Sequence, residues 1–143
     1  KRLNELHYVR PLPEDDGSAV PDAFKKINLS LTSFFDLSLN IEGNMLTLTG
    51  KDGEIWYRAE RGCWSKIRRK VHCSPFYTEK DSMDTPVIGA WGVKNGVLTI
   101  RVYEIEFLEE DTLTLTEEED GIHVSFTNTT IPSNPREYVK KVI

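Results

Sequence analysis

With 23 acidic against 18 basic side chains in 143 residues, the chain carries a formal net charge of −5 and a pI near 5.2, so most of its surface would repel a phosphate backbone. That balance argues against nucleic acid as a partner, and no stretch supplies the roughly 18 consecutive apolar residues of a membrane-spanning helix. The length suits one domain with a single core.

Residues 1–22 contain Pro11, Pro13 and Pro21 and the acidic run Glu14-Asp15-Asp16-Gly17-Ser18. This composition predicts an irregular lead-in, either a linker or a strap across the fold. A start at Lys1 without a methionine reads as a processed protein or a piece of a longer one, so missing targeting signals carry no information. The remainder, 23–143, reads as one β domain.

Alternation begins at Ile27, which shares a face with Leu29 and Leu31 while Asn28 and Ser30 take the other. Phe35, Leu37, Leu39 and Ile41 then alternate with Asp36, Ser38, Asn40 and Glu42. Gly43-Asn44 turns the chain into a strand with Leu46 and Leu48 on one face. Asp52-Gly53 turns it again into one with Ile55, Tyr57 and Ala59 opposite Trp56, Arg58 and Glu60. From Gly62 to Pro86 the pattern is weak. A short strand or helical turn around Ile67 to His72 is expected there, followed by a loop.

The stretch Gly89 to Thr130 is the most regular, with strand-like runs punctuated at Asn95-Gly96, Glu109-Glu110-Asp111 and Asp120-Gly121. Leu98, Ile100 and Val102 share one parity and Ile105 and Phe107 the other, which predicts a bulge or bend at Tyr103-Glu104. Tyr138 to Ile143 either closes the sheet or leaves the domain. The expected fold is all-β: an antiparallel up-and-down barrel of about eight strands, with a β-sandwich as the alternative.

Chemistry-bearing patterns are sparse. No Ser-x-x-Lys and no Gly-x-Ser-x-Gly is present to supply an activated serine. Cys63, His72 and Cys73 form the one grouping with metal-ligand side chains. Adjacent His72 and Cys73 would point to opposite faces of a strand, so no metal and no cofactor is expected. The two cysteines form one disulfide or stay as thiols. Glu117-Glu118-Glu119-Asp120 lacks the ligand spacing and inner glycine of a calcium loop and reads as a solvated hairpin end. Trp56, Trp64, Trp91, Phe76 and Tyr77 are read as core and plug residues. Asn28-Leu29-Ser30 and Asn128-Thr129-Thr130 are formal glycosylation sequons.

Glu104 has the inward parity of Leu98, Ile100 and Val102, and a buried carboxylate must be paired or protonated. With Arg58 or Arg101 as its partner and Trp91 beside it, it would line a small polar pocket in a barrel interior; the preferred competing reading is that the bulge turns Glu104 outward or that the pair is purely structural. Glu104, Arg101, Trp91 and Arg58 are therefore the candidate ligand-binding residues. Catalysis through Glu104 or Glu106 is the least favoured use of these acids.

Gly89-Ala90-Trp91, Val97-Leu98-Thr99-Ile100-Arg101, Tyr103-Glu104, Phe107 and Asp111-Thr112-Leu113-Thr114-Leu115 together carry a family likeness. They resemble the end of the C-terminal domain that follows the catalytic domain in bacterial serine hydrolases of the beta-lactamase and penicillin-binding-protein-like family. The resemblance implies a lipocalin-like barrel without catalytic residues, whose partner is the upstream catalytic domain of the same polypeptide. It implies a bacterial protein of the cytoplasm or the cell envelope. The alternative is a stand-alone lipocalin-like carrier of a small hydrophobic ligand.

Overall fold

Two antiparallel meanders, joined where β4 gives way to β5, make up the fold. The computed structural model describes residues 12–30, 36–50, 53–71, 83–104, 109–129 and 136–142. A four-stranded sheet holds β1 (Lys26–Ser30), β2 (Asp36–Glu42), β3 (Met45–Gly50) and β4 (Ile55–Glu60) in chain order. A six-stranded sheet holds β5 (Ser65–Val71), β6 (Met83–Lys94), β7 (Val97–Glu104), β8 (Glu109–Glu118), β9 (Gly121–Thr129) and β10 (Arg136–Val142). A 3-10 turn at Asp22–Phe24 precedes β1 and drops Phe24 into the core.

Strict alternation builds one face of each sheet from apolar side chains. Leu98, Ile100 and Val102 on β7 stand opposite Leu115, Leu113 and Asp111 on β8, and Leu113 and Leu115 stand opposite Phe126 and Val124 on β9. These residues meet Leu39, Leu46, Leu48 and Tyr57 of the other sheet in a single core. Trp91, Tyr57 and Phe24 are its largest fully buried side chains.

The β6–β7 hairpin turns at Asn95 (φ 53°) and Gly96 (φ 78°), the two positive angles that a tight turn matching the strand twist requires. At the β4–β5 junction, Arg61 makes an isolated parallel bridge to Trp91, with Gly62 N–H donating to the Trp91 carbonyl at 3.0 Å. This stitches one corner of the two sheets.

Several expectations change. Neither sheet closes on itself, so the described residues form two packed antiparallel sheets, compatible with a β-sandwich. Met83–Lys94, the first third of which falls in the stretch read as loop, is the longest strand among the described residues. Pro86, Gly89 and Gly92 mask it in the sequence. The short element expected at Ile67 to His72 is strand β5. Glu109, Glu110 and Asp111 lie inside β8, paired with Glu104, Tyr103 and Val102. The pairing of β7 with β8 runs without a register shift through Glu104, so no bulge lies at Tyr103-Glu104, although alternation of burial ends there with Val102, Tyr103 and Glu104 all buried; Ile105 and Phe107 lie outside the described residues. So do Leu31, Phe35, Asp52, His72, Cys73, Phe76, Tyr77, Thr130 and Ile143. The chain's last described strand, β10, pairs with β9 as the edge of the larger sheet.

Candidate functional site

The acidic run Glu14–Ser18 is held by the fold along its whole length. Asp15 and Asp16 first cap their own turn, Asp15 Oδ1 accepting from Gly17 N–H at 2.8 Å and Asp16 Oδ1 from Ser18 N–H at 3.0 Å. The strap then docks on the end of the β6–β7 hairpin. Asp16 N–H donates to the Val93 carbonyl at 2.9 Å, and Asn95 N–H donates to Asp16 Oδ2 at 3.0 Å. Lys94 Nζ lies 2.8 Å from Glu14 Oε2. The strap passes close over Gly92: a Cβ there would come within 2.7 Å of the Glu14 carbonyl oxygen and 2.8 Å of Asp15 Cβ.

A second anchor reaches over from the four-stranded side. Arg61 donates to Asp15 through Nε at 3.0 Å and Nη2 at 2.8 Å. Its guanidinium also sits 5.8 Å from the centre of the Trp91 ring. Trp91 is fixed in turn by its indole N–H, which donates to the Ala59 carbonyl at 2.9 Å.

These contacts set the local electrostatics. The hydrogen bond from Arg61 holds the Asp15 carboxyl below the usual range, and Asp15 raises Arg61 reciprocally. The Ser18 hydroxyl, with the Asn95 and Ser18 N–H groups, lowers Asp16 to about 2. Lys94 lowers Glu14 and is itself raised. Every acid in the run is thus stabilised as its anion.

Between the strap and the outer face of the larger sheet lies a groove of about 500 Å³. Leu12, Pro13 and Glu14 form its strap wall, Lys94 and Asn95 close the hairpin end, and Val97, Thr99 and Arg101 line the β7 wall. Leu12 also packs against Trp64, Ile88 and Ala90, a small apolar cluster separate from the main core.

The four candidate ligand-binding residues occupy three different surfaces. Glu104 stands on the inner parity of β7, 5% exposed, with Asp111 equally buried on the neighbouring strand. Trp91 is a core residue. Arg101 belongs to the outer face and lines the groove. Arg58 is exposed on β4 of the other sheet, opposite Thr47. The pocket expected from these four is therefore not assembled around Glu104. Cys63 carries a free thiol, its sulfur 3.9 Å from Glu60 Oε2.

Of the residues that do converge, the sequence marks Glu14, Asp15 and Asp16 as part of a possible strap but gives no sign of their partners Arg61 and Lys94. Partners 46 and 79 residues apart leave no local pattern. The usable signal was the acidic run itself, placed ahead of a chain whose best hairpin ends in Lys94-Asn95-Gly96.

Among the described residues, no three His, Cys, Asp or Glu side chains gather as a metal site, and no helix is long and apolar enough to cross a membrane. Comparison with protein-family models, with curated proteins and with solved structures finds no match to this chain.

Proposed function

We propose that this chain is a noncatalytic accessory β domain that packs on, or modulates access to, the catalytic domain of a bacterial serine hydrolase of the beta-lactamase and penicillin-binding-protein-like family. The observation that carries the reading is an interior filled by the described residues. Trp91, Tyr57 and Phe24 occupy the space between the sheets, each 0% exposed. A carrier of a small hydrophobic ligand needs that space hollow, which places the lipocalin-like carrier second. The residues bearing the family likeness, Gly89 to Leu115, fall mainly on β6, β7 and β8, the centre of the larger sheet.

We read the strand order as that of an up-and-down barrel opened at the β4–β5 seam. Consecutive antiparallel pairing within both sheets and the Arg61–Trp91 bridge at their shared corner support this. In this reading the chain has no catalytic residue, and its partner is an upstream domain.

The test is the mass of the native gene product in its source cell, read by immunoblot and intact mass spectrometry. A product well above 16.4 kDa that contains a serine hydrolase domain supports the proposal. A product near 16.4 kDa overturns it.

A further inference from the structure

The groove beside the strap carries charged side chains at both ends. We propose that it binds a short peptide with free termini, three to four residues long and in extended form. Its carboxylate would lie on Arg101 and its amino terminus on Glu14.

Length comes first. Val97 and Arg101 lie four residues apart on one face of β7, about 13 Å along an extended strand. An extended tripeptide or tetrapeptide spans about the same distance. The groove volume of about 500 Å³ suits a ligand of that size.

Charge sets direction. Arg101 marks one end, and its planar fork of five N–H donors can take a carboxylate while keeping another contact. The other end carries Glu14 and Lys94, whose side chains are 75% and 47% exposed. A pair this exposed contributes little on its own, so Glu14 exchanges Lys94 for a ligand ammonium at small cost.

The wall between the ends distinguishes a peptide from an alkyl acid. Leu12 and Val97 supply apolar contact, but Thr99, between Val97 and Arg101 on β7, carries a hydroxyl that an alkyl chain would strip of water without replacing its hydrogen bonds. Peptide N–H and C=O groups satisfy it. This inference does not depend on the accessory-domain reading, because the groove faces away from the interior.

The experiment is isothermal titration of the whole chain with Ala-Leu-Ala bearing free termini, alongside its C-terminal amide. Saturable binding of the free peptide, weakened roughly tenfold or more by amidation, is expected from loss of a charge-assisted contact. Arg101→Gln should weaken the free peptide by the same factor and leave the amide unchanged. Should Arg101→Gln fail to fold, Val97→Arg, which fills the groove from a half-buried position, should abolish binding. Absence of saturable heat at millimolar peptide overturns the proposal, as does equal binding of acid and amide. Amide resonance shifts at Asn95, Val97 and Thr99 are expected on titration, and shifts confined to other residues would also overturn it.

Discussion

Arg61 grips Asp15 with two N–H donors, at 2.8 and 3.0 Å, from the corner where the two sheets are stitched together. One residue thereby ties the strap to both sheets, because its backbone bridges Trp91 while its guanidinium holds the strap. Their side chains are 15% and 21% exposed, although Asp15 itself sits on an exposed turn. A two-donor contact at that burial outlasts salt better than an exposed pair.

Arg61→Ala should therefore lower stability by about 1–3 kcal/mol in urea unfolding. Asp15→Ala should do nearly the same, and the double variant should cost less than the sum of the two. Arg61→Lys should recover only part, since an ammonium cannot reproduce the fork. Additive single effects would show that the contact contributes nothing.

Gly92→Ala tests the strap by a route that leaves both charges in place. The new methyl group would push against the Glu14 carbonyl and Asp15 Cβ, backbone and near-backbone atoms that cannot rotate away. Lifting the strap should untether the already exposed backbone at Gly17 and Ser18, so faster protease cleavage there with little change in sheet circular dichroism is expected. An unchanged cleavage rate would mean that the strap is not held by close approach at this glycine.

Acid should release the strap. Asp15, Asp16 and Glu14 all titrate below their unfolded values in the fold, so their contribution is present above about pH 4 and is lost as pH falls toward the folded values, about 2 for Asp16 against an ordinary 3.8. Urea midpoints should therefore fall between pH 5 and pH 2. The combined Asp15→Asn, Asp16→Asn variant should show a shallower fall over the same window. Parallel profiles would assign the acid sensitivity to other carboxylates.

Hairpins were legible in the sequence because their signals are local. Gly43-Asn44 and Asn95-Gly96 sit between alternating runs, and the register followed from them. The inward parity of Glu104 was legible for the same reason. Strand β6 was not, because its composition answers to partners far away in the chain. Gly89 is there to admit the Tyr57 ring, and Gly92 to let the strap pass. Arg101 carried an inward role in expectation because the groove on its outer face exists only once the strap has folded back.

The Tyr57–Gly89 contact gives paired predictions of opposite sign. A Cβ at position 89 would come 1.8 Å from Tyr57 Cε1, so Gly89→Ala must displace a core ring and should cost about 3 kcal/mol or more. Tyr57→Phe should be neutral or stabilising. The hydroxyl is fully buried without a hydrogen-bond partner among the described residues, and burial raises its pKa further from ionisation. A clear loss of stability in Tyr57→Phe would reveal a partner for that hydroxyl.

Trp91→Phe should be among the most damaging single changes that conserve aromatic character. The indole N–H donates to the Ala59 carbonyl in the interior, so the substitution removes that hydrogen bond and leaves a void where the second ring was. A loss of about 2–4 kcal/mol is expected in urea unfolding. Trp56→Phe, at a half-buried position packed against the core from one side, provides the control and should cost less. The backbone bridge to Arg61 survives in either variant, so the difference between them isolates the indole itself. Equal losses would mean that the sheet corner is held by its backbone pairing and that the Trp91 side chain serves only as filling.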